Sequence, residues 1–116
     1  MKLLIILISF LITFSAFSVD LLDTLKLVID NNNLSYQDKA LKIEQICLKA
    51  KKNKYAKIIL VSADYFLKKN DQQRAKRYYR LAAKIGMIKK NYLVIFACGT
   101  RLMYLSDKDE GSSLLY

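Results

Sequence analysis

Ala75-Lys76-Arg77-Tyr78-Tyr79-Arg80-Leu81-Ala82-Ala83-Lys84-Ile85-Gly86 is the stretch whose periodicity decides the fold. On a helix of 3.6 residues per turn it separates into two sides. Ala75, Tyr79 and Ala82 fall at i, i+4 and i+7 and form a core-facing stripe. Arg77, Arg80 and Lys84 fall at i, i+3 and i+7 and form a basic stripe, flanked by Arg74 and Lys76, with Tyr78 as its exposed aromatic neighbour. Asn70-Asp71 supplies a short turn and a cap ahead of this segment, and Gly86 suits the left-handed position after a helix. The spacing therefore predicts a helix from Gln72 to Ile85.

Working outward, Asn53 can cap a helix from Lys54 to about Lys69. Its apolar residues (Ile58, Ile59, Leu60, Val61, Ala63, Tyr65, Phe66 and Leu67) nearly encircle it, which marks it as central. On the other side, Asn91 caps a fifth helix to about Ser106. Tyr92 to Ala97 (YLVIFA) is β-branched enough to read as a strand in isolation. With four helices around it and no partner strand, helix is the consistent assignment. Upstream, Ser35 stands three before Asp38 in a capping-box-like start. The helix it opens runs to about Lys52, with Ala40, Leu41, Ile43, Ile46, Cys47 and Ala50 inward and Lys39, Lys42, Lys49 and Lys51 outward. Asn31-Asn32-Asn33 divides it from a first helix over Val19 to Asp30. The fold class is all-α: helical hairpins over 19–106, then a loose tail over 107–116.

The amino end has a different character. Met1-Lys2 is positive, Leu3 to Phe17 (LLIILISFLITFSAF) is uncharged, and Ala16 and Ser18 place small residues at −3 and −1 of a cleavage site before Val19. These are the three parts of a secretory signal, residues 1–18. A spanning helix needs about 20 apolar residues, and Asp20 closes the run early. An uncleaved segment would instead tether the domain to a membrane. Cleavage leaves 98 of the 116 residues, one modest domain, placed in the periplasm or secreted.

Lys2 is the only charge in the signal, so the remainder carries +9 of the chain's +10. Sixteen Lys and Arg stand against four Asp and Glu between Asp38 and Lys90, a field that favours anionic partners. Export argues against nucleic acid and leaves an acidic protein or an anionic membrane surface. With no His, Trp or Pro, and Gly only at 86, 99 and 111, the chain lacks His-based nucleophilic machinery, the usual zinc sites and Gly-rich phosphate loops. Asp38, Glu44, Asp64 and Asp71 are dispersed, and Asp107, Asp109 and Glu110 do not complete a calcium-loop pattern. No catalytic group, cofactor or metal is expected, and binding is favoured over catalysis.

Ala63, Ala75 and Ala82 sit 12 and 7 residues apart, with Phe66 three after the first and Tyr79 four after the second. This pattern resembles the tetratricopeptide repeat, a helix pair of about 34 residues in which small residues let helices approach and aromatics fill the gap. Ala75 to Gly86 is similar to the second helix of a Sel1-type repeat, and Ala97 lies 34 after Ala63. Ile59 stands where the repeat has Trp, Met87 where it favours Pro, and Ile29 where the upstream repeat needs a small residue. The resemblance covers one and a half repeats, centred on 56–89. It implies a concave face, lined by first helices, that grips a protein or peptide; the matching outward positions are Lys57, Asp64, Lys68 and Arg101. Such repeats stack in threes or more, so it also implies a small adaptor or a stack completed by a partner. The core positions Ala63, Phe66, Ala75, Tyr79 and Ala82 are structural. The second candidate surface is the basic stripe Arg77, Arg80 and Lys84, suited to anionic lipid or an acidic partner.

Cys47 and Cys98 are the only cysteines. A bridge between them would close a loop of about 50 residues and contribute roughly 4 kcal/mol. They fall on the second and fifth helices, which do not meet in a regular stack, so both are read as small core residues.

Overall fold

A computed structural model describes residues 20–105. The signal read at 1–18 and the tail read at 107–116 fall outside the described residues. Within them the chain is helical with no strand: α1 over 20–30, α2 Tyr36–Lys52, α3 Ala56–Lys68, α4 Gln72–Lys89 and α5 Tyr92–Tyr104. The YLVIFA segment is helix, as its surroundings require. No helix among the described residues is long and apolar enough to cross a membrane.

Three turns of one design join α2 through α5. Lys54, Asn70 and Lys90 each adopt a left-handed conformation, with φ of 59°, 60° and 55°. In each turn the next residue's amide reaches back five positions: Tyr55 to the Ala50 carbonyl at 2.8 Å, Asp71 to Phe66 at 2.9 Å, Asn91 to Gly86 at 2.8 Å. The left-handed residue's own amide closes the inner bond to Lys51, Leu67 or Met87, at 3.2, 3.0 and 3.3 Å. These paired bonds are the Schellman arrangement, which satisfies carbonyls that a helix end otherwise leaves open. The residue after each left-handed position is already the N-cap of the next helix. Turns this short leave consecutive helices only one way to pack, folded back on one another. The most extensive packing is α3 on α4, then α4 on α5 and α2 on α3, and α3 also touches α5.

Two boundaries differ from the sequence reading, each for its own reason. Asn53 does not open α3; its side-chain amide donates to the Lys49 carbonyl at 2.9 Å and closes α2. Helix α3 begins at Ala56 behind Tyr55, which offers no side-chain cap. Gly86 does not end α4, which continues to Lys89 and turns at Lys90. Gly86 is instead a point of close approach. A Cβ there would stand 3.3 Å from the Cγ1 atoms of both Val94 and Ile95, so α5 lies against bare backbone.

Other start signals act as read. Ser35 Oγ accepts from the Asp38 amide at 3.2 Å, Asp71 from Arg74 at 3.2 Å and Asn91 from Val94 at 3.3 Å. Asn31 breaks the chain by accepting the Asn33 amide on its own side chain at 2.9 Å. Lys39 then bonds the Ile29 carbonyl at 2.8 Å, fastening the end of α1 to α2.

The core is a continuous apolar cluster with Leu25, Ile43, Ile59, Phe66, Tyr79 and Leu102 among its fully buried members. Ala63, Phe66, Ala75, Tyr79 and Ala82 are all buried without residual exposure, the structural role their spacing indicates. Rings run in sequence through it, Tyr36 to Tyr65 at 6.3 Å, Tyr65 to Phe66 at 6.0 Å and Phe66 to Tyr78 at 5.6 Å between centroids. Leu41, expected inward, is exposed, because the buried stripe of α2 is the narrower set Ala40, Ile43, Ile46, Cys47 and Ala50. Cys47 and Cys98 are both free and buried, as the separation of α2 from α5 implied.

Candidate functional site

The basic stripe of α4 lies along α2 and forms one wall of an open groove of about 910 Å³. Lys51 of α2 and Arg74, Arg77, Arg80 and Lys84 of α4 line it. Its apolar lining is Leu48, Tyr78 and Leu81. Leu48 is an exposed leucine outside the buried stripe of α2, and its side chain lines this groove.

Glu44 is the residue that orders the cations. Its Oε1 accepts from Arg77 Nη2 at 2.6 Å and from the Tyr78 hydroxyl at 3.0 Å, and it stands 3.6 Å from Arg74 Nε. Arg77 also lies over the Tyr78 ring, 5.2 Å from its centroid. Arg74 turns its other end to Asp71 at 2.8 Å, which in turn accepts from the Tyr36 hydroxyl at 2.5 Å. Burial, and then the hydrogen bond to Glu44, push the Tyr78 phenol well above its usual range, so it remains a donor. Of the five cations that line the groove, Arg74 and Arg77 are thus held by the carboxylates Asp71 and Glu44.

Tyr78 departs from its expected place. It is 8% exposed, stacked on Phe66 and bonded to Glu44, so it is mainly a wall of the core, and only a small part of it reaches the groove. Sequence reasoning places Glu44 only among the dispersed acids and misses its role here. The signal for it is its position as a lone acid 33 residues before Arg77, the separation of like helices in successive hairpins.

Of the four positions matching a concave repeat face, Lys57, Asp64 and Lys68 fall within about 40° of one another on α3, and Arg101 of α5 meets the middle one. Asp64 and Arg101 meet, with Arg101 Nε 2.6 Å from Asp64 Oδ1, and the buried Tyr79 hydroxyl donates to the same carboxylate. Both are engaged in fastening α3, α4 and α5 together, and both side chains remain partly exposed. Lys57 and Lys68 remain exposed but lie at opposite ends of α3, about 16 Å apart along its axis. Lys57 belongs to a second concavity, of about 810 Å³, where Lys54, Lys89 and Lys90 join it beside Leu22 and Tyr55. Among the described residues no three Cys, Asp or Glu side chains are grouped to hold a metal ion.

No family model, curated protein or solved structure matches this chain.

Proposed function

We propose that this is an exported binding protein built on tetratricopeptide-like hairpins, and that the groove between α2 and α4 receives an acidic, amphipathic segment of a partner protein. The observation that carries this reading is the combination of a rim of basic side chains with the apolar strip Leu48–Tyr78–Leu81. Charge alone would fit any anion. An apolar strip between cations fits a helix or strand with carboxylates on its flanks and aliphatic residues between them. The repeat character rests on the three identical turns and on polar bridges between alternate helices at separations of 33 to 37 residues: Glu44–Arg77, Glu44–Tyr78, Tyr36–Asp71 and Asp64–Arg101. Export rests on the three-part amino-terminal segment. No step of this reading needs a cofactor or a reaction.

The second reading, an electrostatic binder of an anionic envelope surface, shares the cations but not the strip. A designed acidic helical peptide with leucines at i, i+3, i+4 and i+7, followed by fluorescence anisotropy, separates them. Raising ionic strength from about 50 to about 500 mM should weaken binding without abolishing it, because screening acts on charges and not on the leucine contact. Arg80→Glu with Lys84→Glu should remove binding. Leu48→Ser should weaken it at every salt concentration with an unchanged slope. Binding to anionic vesicles that Leu48→Ser leaves intact, with none to the peptide, would establish the second reading in place of the first.

A further inference from the structure

Helix α5 turns an apolar side to solvent. At 100° per residue, Tyr92, Met103, Phe96, Thr100, Leu93 and Tyr104 share one arc about 120° wide, and all six are exposed. Tyr92 is 72%, Leu93 84%, Phe96 64% and Tyr104 79% exposed. The arc contains no charged side chain; Arg101, the helix's single ion, lies outside it and is tied to Asp64. Arcs of this width normally face a core. At about 200 Å² per large side chain, the exposed part amounts to roughly 600 Å². That is the upper end for a monomer's largest patch and approaches the roughly 800 Å² each partner gives to a stable interface.

The order of residues along the arc identifies its occupant. Measured from Cys98, Tyr92 mirrors Tyr104, Leu93 mirrors Met103 and Phe96 mirrors Thr100. Two copies of α5 laid antiparallel would place each residue on its mirror: aliphatic Leu93 on Met103, ring beside ring at the ends, and the large Phe96 over the small Thr100. An isologous contact demands this self-complementarity, since one patch must serve both sides. Antiparallel packing also sets the two helix dipoles against each other favourably. Charge points the same way. A chain of +10 repels its own copies over most of its surface, and this face is free of charge. We propose that the outer face of α5 is the interface of a twofold homodimer. No residue of the α2/α4 groove lies on this arc, so each copy keeps its groove and the dimer presents two, raising avidity for a partner with repeated acidic segments.

Sedimentation velocity on the full chain, as isolated from the expressing cell, tests the proposal. The wild type should sediment with the mass of two chains at roughly 100 µM, within reach of a micromolar dissociation constant. Leu93→Lys and Phe96→Lys should each give the mass of one, with the circular dichroism and melting midpoint of the folded chain, because both side chains lie at the surface. Thr100→Trp, which fills the seat of Phe96, should do the same. A wild type that stays monomeric, or a dimer that survives both lysine variants, overturns the proposal. So does a monomer that dimerises only when residues 107–116 are removed, which would make that segment the occupant.

Discussion

Asp64 on α3 and Arg101 on α5 stand 37 residues apart in the chain and meet at 2.6 Å. Tyr79, fully buried on α4, donates its hydroxyl to the same carboxylate, so one side chain bonds all three helices. Burial, and next the bond to Asp64, drive the Tyr79 phenol far above its usual range and keep the donor protonated. The ion pair is over a third exposed and contributes at most about 0.5 kcal/mol after solvent screening. The buried hydroxyl matters more, because losing its acceptor leaves a desolvated donor that costs about 1–3 kcal/mol. Asp64→Ala should therefore destabilise by about 2 kcal/mol in urea unfolding, and Arg101→Leu by well under 1. In the Tyr79→Phe background the cost of Asp64→Ala should shrink to the small ion-pair share. Equal costs in both backgrounds would show that the hydroxyl bond contributes nothing.

The interhelical turns yield a second expectation. Lys54 and Lys90 hold left-handed backbone with a Cβ present, which costs about 1 kcal/mol for an L residue other than Gly or Asn. Asn70 fills the same place in the middle turn with a residue that tolerates it. Lys54→Gly and Lys90→Gly should each raise stability by about 0.5–1 kcal/mol, despite the entropy Gly adds to the unfolded chain. Asn70→Gly should change little. Thermal melts of the three variants decide it, and an unchanged or lower midpoint for both lysine replacements would show that the turns are unstrained.

Helix periodicity is enough to bury Ala63, Phe66, Ala75, Tyr79 and Ala82, because a 3.6-residue stripe is a local property of the chain, whereas Tyr92 to Ala97 is helix only by its helical surroundings. What periodicity could not find was decided by another helix. Tyr78 lies 100° from Tyr79 on the helical wheel, at the border of the buried stripe, and Phe66 and Glu44 on other helices draw it inward. Gly86 has the identity of a terminator, but Val94 and Ile95 need its bare backbone within the helix. Lys90 has no terminator identity, and the bond from Asn91 to Gly86 bends it. The basic stripe was visible as a row of charges, while its order comes from Glu44, one acid on a different helix. Asp64 and Arg101 are both legible as outward groups, but their meeting depends on how α3 and α5 pack.

The cysteines give a third expectation. Burial pushes the Cys47 thiol up to about 11 and the Cys98 thiol up to about 12. The thiolate is the reactive form, so near pH 8 both are protonated as well as inaccessible. A maleimide or DTNB reagent should modify neither in the folded protein. Both should react once the protein is denatured, with no reductant added, because they are free and lie on helices α2 and α5. Protection of the pair in the denatured, unreduced protein would mean a bridge and a different packing of α2 against α5.

Asp71 links the cap of α4 to the groove and makes stability depend on pH. Burial acts to raise its pKa. The donors outweigh it: Tyr36 Oη at 2.5 Å, Arg74 Nη1 at 2.8 Å and the Arg74 amide at 3.2 Å hold the carboxyl below its ordinary range. The folded pKa thus lies below the unfolded one, near 4. Well above that value both states are ionised and the full stabilisation is present. As the pH falls through it, the unfolded chain takes up the proton first, so stability is lost between the unfolded and folded pKa values. Asp71→Asn keeps an oxygen acceptor for the Arg74 amide and removes the charge. Near neutral pH it should cost about 1–2 kcal/mol, the share that charge adds to these bonds. Toward pH 3 the gap between variant and wild type should narrow as the wild-type carboxyl is neutralised. Urea midpoints measured from about pH 7 down to about pH 3 check this directly, and curves that stay parallel would mean that the charge on Asp71 contributes nothing to holding Tyr36 and Arg74.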